Sequence, residues 1–506
     1  MKAKKQRGLP VFLATAFLLG SVTPVSAMDF RHDSGGIYNE KEYQEVIYVT
    51  GEPIVVTGEM EVRQSVKNGI GTVTLRFDLE NIDEDVELTR NITFSVTEEK
   101  SNKQTITNVK INSFSESIDV GENNYELDDY QFTKSVITDE RPAADYFTGN
   151  WSGKKIYKFN DEDGTVEVFS QGGSVGYENP WSSTETQNIS GTVSFDGKVS
   201  VGDAVYSDDW SGTFNTDVTY STGSKISYEA NDLLAISFSG GYVMVQEASS
   251  ALSYTCRLPA LDKNGISEGG RDSWSDTLST DSFPVYKRLP VYSFSDMSGH
   301  WASEDVGIIT GLGIMSAGNY FGPSINMTRG EFARALARAL ELTEAETQTT
   351  QTTAPRFQLP WGNTASEDSE EESLFEDVNE DNPYYEDIKA VYENGLISGT
   401  GNNCFSPNDP LTKAQAVTAC IRALGFQNQG IGYATQTFKD DGSIPSWAKE
   451  AYYTASSIGL VSADALGYAN PNQVLTRAEA ATLMHRFIEY LQDDLRYEYR
   501  DRLLNY

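Results

Sequence analysis

Cysteine, histidine and positive charge are all scarce in this 506-residue sequence. The three cysteines, Cys256, Cys404 and Cys420, are scattered and none stands at Cys-x-x-Cys spacing, which excludes a disulfide framework and a thiolate metal site. Stability must come from packing, and no metal or other cofactor is expected. The three histidines are His32, His300 and His485, so nothing between them supplies a Ser-His-Asp or Cys-His arrangement. With 39 Lys+Arg against 74 Asp+Glu the formal charge is −35, a field that repels polyanions before local contact forms. This excludes nucleic acid and anionic lipid as general partners, and any anionic ligand needs a local basic pocket. Long apolar runs are missing too. The run Val11–Leu19 is well short of the ~20 residues of a membrane span. It follows Lys2, Lys4, Lys5 and Arg7 and precedes Val25-Ser-Ala27, the pattern of a secretory signal peptide ending at residue 27. Export is expected, with no membrane insertion after cleavage. A secreted chain without cysteine pairs fits a Gram-positive surface. A hydrophobic content of 39% with 11% aromatics is too high for a disordered chain.

Residues 28–290 read as strands. Within Thr72–Leu79, the apolar Val73, Leu75, Phe77 and Leu79 alternate with Thr72, Thr74, Arg76 and Asp78, the period-two signature of a sheet with one buried face. Ile92, Phe94 and Val96 repeat it, and Thr165–Phe169, Gly191–Phe195 and Tyr242–Val245 are short β-branched and aromatic runs between turn residues. Asp163-Gly164 and Asp196-Gly197 read as hairpin turns. The expectation is an all-β, sandwich-like region, either one unit or two dividing near residue 140, where Arg141-Pro142 breaks the pattern. Tyr146–Gly153 and Tyr206–Gly212 both end in Trp-Ser-Gly, with Pro180-Trp-Ser182 a looser echo. On exposed loops Trp151 and Trp210 would stack on sugars; as core residues they plug the sandwich, and the second is the expectation. Asn160–Gly164 holds only part of a calcium-loop order and is read as a turn.

The last third repeats three times. Phe294-Ser-Asp296, Phe375-Glu-Asp377 and Phe438-Lys-Asp440 open the units. Gly313-Ile-Met315, Gly395-Leu-Ile397 and Gly459-Leu-Val461 follow, then Phe321-Gly-Pro323, Phe405-Ser-Pro407 and Tyr468-Ala-Asn-Pro471. Each unit ends in Thr328-Arg-Gly-Glu331, Thr412-Lys-Ala-Gln415 or Thr476-Arg-Ala-Glu479, which opens a helical run. The stripes Phe332, Ala335, Leu336, Ala339 and Leu340, then Ala416, Val417, Ala419, Cys420 and Leu424, then Ala480, Leu483, Met484, Phe487 and Ile488 recur at helical spacing and require burial. These landmarks resemble three S-layer homology repeats over about 292–490. The resemblance implies an all-α, pseudo-threefold helical bundle that binds secondary cell-wall polysaccharide, typically pyruvylated, in grooves between repeats.

The Thr and the Glu or Gln of the last motif form a capping box, worth about 1 kcal/mol per cap. That leaves the cation unexplained. At the first helical position, Arg329 and Arg477 would sit beside unpaired N–H groups and the positive end of the helix dipole, where an Arg fork can grip a carboxylate. A salt bridge to the neighbouring repeat is the competing reading. Lys413 lacks the planar fork, so the second groove is expected to be weaker. The resemblance allows Asp296, Asp377 and Asp440 to face the sugar; capping the first helix of each repeat is the alternative. Trp301, Tyr384 and Trp447 lie near those helix starts, positioned either to stack on a pyranose or to seal the bundle. The polymer-binding set is therefore Arg329, Lys413, Arg477, Asp296, Asp377, Asp440, Trp301 and Trp447.

The expected organisation is a signal peptide (1–27), a β-rich exported region (28–290), repeat one (291–342), a Thr-rich and acidic insertion (343–374), repeat two (375–426), a linker (427–436), repeat three (437–492) and a charged helical tail (493–506). Function follows as a non-catalytic surface protein, anchored noncovalently to wall polymer and self-associating in a surface layer. An adhesin or carbohydrate-binding protein is the alternative, and a wall-anchored polysaccharide-active enzyme comes after it, because carboxylate pairs for glycoside hydrolysis are defined only by their separation in space.

Overall fold

A computed structural model describes residues 35–67, 69–230, 240–316, 318–343, 374–426 and 438–497. The signal peptide, nearly all of the 343–374 insertion, the 427–436 linker and the tail beyond residue 497 lie outside the described residues.

The N-terminal region is all β. Its strands are β1 (Ile37–Tyr38), β2 (Tyr43–Ile47), β3 (Ile54–Lys67), β4 (Ile70–Asn81), β5 (Val86–Ser101), β6 (Gln104–Val120) and β7 (Asn123–Glu140). They continue as β8 (Asp145–Phe159), β9 (Gly164–Glu178), β10 (Ser182–Val201), β11 (Ala204–Glu229), β12 (Gly241–Leu261), β13 (Ser267–Asp281) and β14 (Val285–Arg288). Each strand from β1 to β12 pairs antiparallel with the next, and β14 pairs with β12. The expected sandwich is therefore one continuous meander, because consecutive strands pair with one another and none crosses to a second sheet. Right-handed twist curls the long strands round, and the ends meet through side chains rather than a ladder. The Ser250 hydroxyl donates to the Tyr38 carbonyl (3.0 Å), and Asn39 Nδ2 donates to Thr280 Oγ1 (2.6 Å). No break divides the sheet near residue 140: Arg141–Ala144 is the turn between β7 and β8.

The alternation read in β4 is realised, with Val73, Leu75, Phe77 and Leu79 buried. Trp151 and Trp210 lie on β8 and β11 rather than on loops. They face inward, tilted against Phe132 (5.9 Å) and Phe195 (5.8 Å). The Trp151 ring covers its cross-strand partner Gly172, where a Cβ would lie 2.7 Å from the indole. Asp196-Gly197 is not a hairpin turn but lies within β10, paired with Thr165 and Gly164. Gly197 serves close approach there, since a Cβ would come within 2.6 Å of Gly164 Cα. Inside the curl, Arg90 forms a bidentate pair with Glu45 (2.7 and 2.8 Å) and reaches Glu116 (2.9 Å). Glu116 also accepts from Lys155 (2.6 Å) and the Tyr157 hydroxyl (3.0 Å).

The C-terminal region is helical: α1 (Ser303–Gly311), α2 (Arg329–Ala339), α3 (Tyr385–Glu393), α4 (Lys413–Leu424), α5 (Lys449–Ser457) and α6 (Arg477–Glu489). All three predicted apolar stripes are buried in one core. Packing runs in a cycle, with α2 against α3, α4 against α5 and α6 against α1.

Candidate functional site

All three second helices begin at the expected capping boxes: Thr328 with Glu331, Thr412 with Gln415 and Thr476 with Glu479. Each start is also stitched to the next repeat. Arg329 and Gly330 donate their N–H groups to the carbonyls of Asp409 and Pro407; Lys413 and Ala414 to Gln473 and Pro471; Arg477 and Ala478 to Ile325 and Pro323. A central ring closes the cycle, with Met327 N–H donating to Leu475, Leu475 to Leu411 and Leu411 to Met327. The unpaired N–H groups anticipated beside the cations are therefore already used, because neighbouring loops reach the helix ends first. Any anion binding here falls to the side chains.

The three cations occupy equivalent places with different surroundings. Arg329 donates Nε to the Phe405 carbonyl (2.9 Å) and Nη2 to the Ser398 carbonyl (2.8 Å), above the Phe405 ring. It is only 4% exposed, and burial pulls its pKa down against the fields of Asp409 and Asp377. Among the described residues no carboxylate stands within ion-pair distance of it. Arg477 donates Nε to the Phe321 carbonyl (2.9 Å), sits over that ring and is ion-paired through Nη1 with Glu331. Lys413 Nζ donates to the Ala469 carbonyl (2.9 Å), and burial lowers its pKa while Glu479 opposes the shift. The residue matching Glu331 in repeat two is Gln415, so the Arg329 junction lacks the carboxylate that neutralises Arg477.

Asp296, Asp377 and Asp440 do not cap the first helices, whose N-cap residues are Ala302, Tyr384 and Ala448 with no side-chain cap bond. Each instead accepts two N–H groups from the loop before the second helix: Phe321 and Gly322 (3.0 and 2.8 Å), Phe405 and Ser406 (2.7 and 2.6 Å), and Ala469 and Asn470 (2.7 and 2.8 Å). The backbone donors of Phe321 and Gly322 hold the Asp296 carboxyl below its usual range. This pattern also puts Ala469, rather than Tyr468, in register with Phe321 and Phe405.

Trp301 and Trp447 do not seal the bundle. They are 64% and 54% exposed, each one residue before a first-helix N-cap, and Pro383 holds that place in repeat two. Tyr384 packs instead against Arg334, whose guanidinium carbon lies 4.4 Å from its ring centroid. Several working residues escaped the sequence reading: Glu331 as a counter-ion, Arg334 paired with Asp387 (2.9 Å), and Asp305, which joins His485 Nδ1 (2.7 Å) and Thr482. Their only signal was a charge on a helix, in the first turn for Glu331, Asp387 and Asp305 and mid-helix for Arg334, a common surface feature.

The S-layer homology domain matches residues 293–333, 374–417 and 437–481. Over 311 residues the chain is 24% identical to exoglucanase XynX of Acetivibrio thermocellus, covering 59% of this chain and 25% of that protein. It is 26% identical over 203 residues to an amylopullulanase of Thermoanaerobacterium thermosulfurigenes, covering 39% of this chain and 10% of the relative. A surface-layer 125 kDa protein of Lysinibacillus sphaericus is 28% identical over 211 residues, covering 41% of this chain and 16% of its own length. The chain thus spans a quarter or less of the length of these curated relatives. Among the described residues no helix is long and apolar enough to cross a membrane.

Proposed function

We propose that this exported cell-surface protein, which carries three S-layer homology domains, is a non-catalytic component of the surface layer held to a secondary cell-wall polysaccharide by acidic, pyruvylated sugars. The three repeats act as a pseudo-threefold bundle, a reading supported by the cyclic stitching of Met327, Leu475 and Leu411. The observation that carries the ligand assignment is the Arg329 guanidinium, buried at the junction of repeats one and two with no carboxylate within ion-pair distance among the described residues. A buried charge of this kind costs stability until an anion completes it, and a sugar carboxylate supplies that anion. Trp301 and Trp447, exposed beside helix starts, offer flat faces for pyranose rings.

A non-catalytic role is supported by the state of the acid–base groups. His300 accepts from the Ala302 N–H at a helix start, and His485 is tied to Asp305. Within the curl, Glu45 and Glu116 are both engaged by Arg90. The enzyme names of two relatives belong to proteins of which this chain matches a quarter or less. The decisive experiment is sedimentation of the full mature chain with Gram-positive walls bearing a pyruvylated secondary polymer, before and after chemical removal of that polymer. Retention should vanish on removal, and Arg329→Ala should weaken it more than Arg477→Ala, whose cation is already neutralised. Binding that survives stripping of the polymer would refute the ligand assignment, and product release from a polysaccharide panel would refute the non-catalytic reading.

A further inference from the structure

The ends of α2, α4 and α6 opposite the junctions all meet the β region. Helix C-termini leave carbonyls without intrahelical donors; those of α2 and α4 receive donors from turns at one edge of the sheet, and the same edge donates to the π turn, Tyr490–Asp494, that continues α6. Trp181 Nε1 donates to Ala339 O at the end of α2 (3.0 Å). Ala143 N–H donates to Ala423 O near the end of α4 (3.0 Å). Ser182 Oγ and Asn179 Nδ2 both donate to Leu491 O within the π turn that continues α6 (2.6 and 3.2 Å). The donors come from the turn Arg141–Ala144 between β7 and β8, the turn Asn179–Trp181 between β9 and β10, and Ser182, which opens β10. The second turn is held in shape by Asn179, whose Oδ1 accepts from the N–H groups of Trp181 and Ser182 (2.8 and 2.9 Å).

The contact is apolar as well as polar. Tyr146, Tyr177, Trp181 and Met244 of the sheet are buried in the same core as the helices. Tyr242 lies against Gly307 of α1, where a Cβ would come within 2.9 Å of its ring. Gly425, the left-handed residue that ends α4 (φ +75°), has the Arg141 side chain directly over it.

We propose that the β region is the structural cap of the repeats: its edge completes the bundle by donating to a backbone carbonyl on the second helix, or its continuation, of every repeat, so that the two regions fold and unfold as a single body. The cap sits one helix length from the stitched helix starts, about 16 Å for the 11 residues of α2. A wall polymer held at the starts therefore leaves the sheet fixed on the far side, standing away from the wall in a set orientation rather than swinging on a tether. Without the sheet, the carbonyl-bearing ends of α2 and α4, the Leu491 carbonyl and the apolar residues around Trp181 would lie open to water.

The test is calorimetry and amide hydrogen exchange on the full mature chain. A single cooperative transition is expected. Trp181→Ala should lower it and speed exchange at least tenfold in the last turns of all three helices. Because Trp181→Ala removes a large buried side chain, the milder Ser182→Ala is the second arm; it deletes a donor to Leu491 along with the Ser182 bonds to Tyr177 and Asn179 inside the sheet edge, and should lower the same transition while speeding exchange in the π turn after α6. Two independent transitions, with the helical one unmoved by Ser182→Ala, would overturn the proposal.

Discussion

The charged cluster inside the β region sets a sharp test of how that region is held. Burial pushes the Glu116 carboxyl upward, but Arg90 and Lys155 outweigh it and hold the group down, from the usual 4.5 to about 2. At about 1.4 kcal/mol per unit, that difference is worth roughly 3 kcal/mol of folding free energy. Since the folded-state value is depressed, the contribution is complete above about pH 4.5 and is lost as the pH falls from there to about 2. The same size follows from mutation. Glu116→Gln leaves the Lys155 ammonium buried beside a neutral amide, and breaking a buried pair from one side costs about 3–5 kcal/mol. Urea unfolding at pH 7, followed through the emission of Trp151 and Trp210, should show a loss of about 3 kcal/mol. The acid limb below pH 4.5 should flatten in the variant. Replacing Glu45, Arg90, Glu116 and Lys155 together by apolar residues of similar volume should restore much of the loss, since such exchanges are often neutral or stabilising. A Glu116→Gln change below about 0.5 kcal/mol, within the range of an ordinary surface substitution, would refute the reasoning.

Three further outcomes follow from the geometry. Gly172→Val should lower the melting temperature through roughly 1–3 kcal/mol of overpacking, because its Cβ would meet the Trp151 indole at 2.7 Å. His485 is penalised by burial, but Asp305 and Glu489 raise its pKa above 6.5; its contribution is therefore full below about pH 6.5 and lost as the pH rises through the folded-state value. Helical melts at pH 6 and pH 8 should differ in the parent and converge in His485→Gln. Trp301→Ala combined with Trp447→Ala should leave thermal stability within about 0.5 kcal/mol, as expected for exposed positions, yet reduce sedimentation with polymer-bearing walls.

The helical region was the more legible part, for physical reasons. A capping box is a local device: Thr328, Thr412 and Thr476 find their partners three residues on, so spacing alone locates the helix starts. The buried stripes of α2, α4 and α6 obey a period that survives in the chain as written. In the β region the alternation of β4 was equally readable, but the architecture was not. Sandwich and curled meander place the same residues inward, and what separates them is which strand pairs with which. Asp196-Gly197 misled for a related reason. The pair has hairpin chemistry, but Gly197 is needed mid-strand, where β10 passes Gly164 with the Phe195 ring alongside, and the turn falls instead at Gly202.

At the junctions the obstacle was connectivity between repeats. Reading one repeat at a time puts Arg329 beside its own helix start with N–H groups to spare. In the cycle those groups belong to the carbonyls of Asp409 and Pro407, and the guanidinium leans on Phe405 of the next unit. The same displacement changes the meaning of the second repeat. Taken alone, Lys413 and Gln415 look like a degraded copy with a weakened groove. Across the junctions, Lys413 faces repeat three, whereas Gln415 holds in repeat two the position that Glu331 holds in repeat one, from which Glu331 neutralises Arg477 of repeat three. On the proposed reading, the loss of that carboxylate is what leaves the Arg329 charge available to a ligand. Gln415→Glu should then supply the missing counter-ion and weaken wall retention while adding to stability, opposite signs that a purely structural role for Arg329 would not produce.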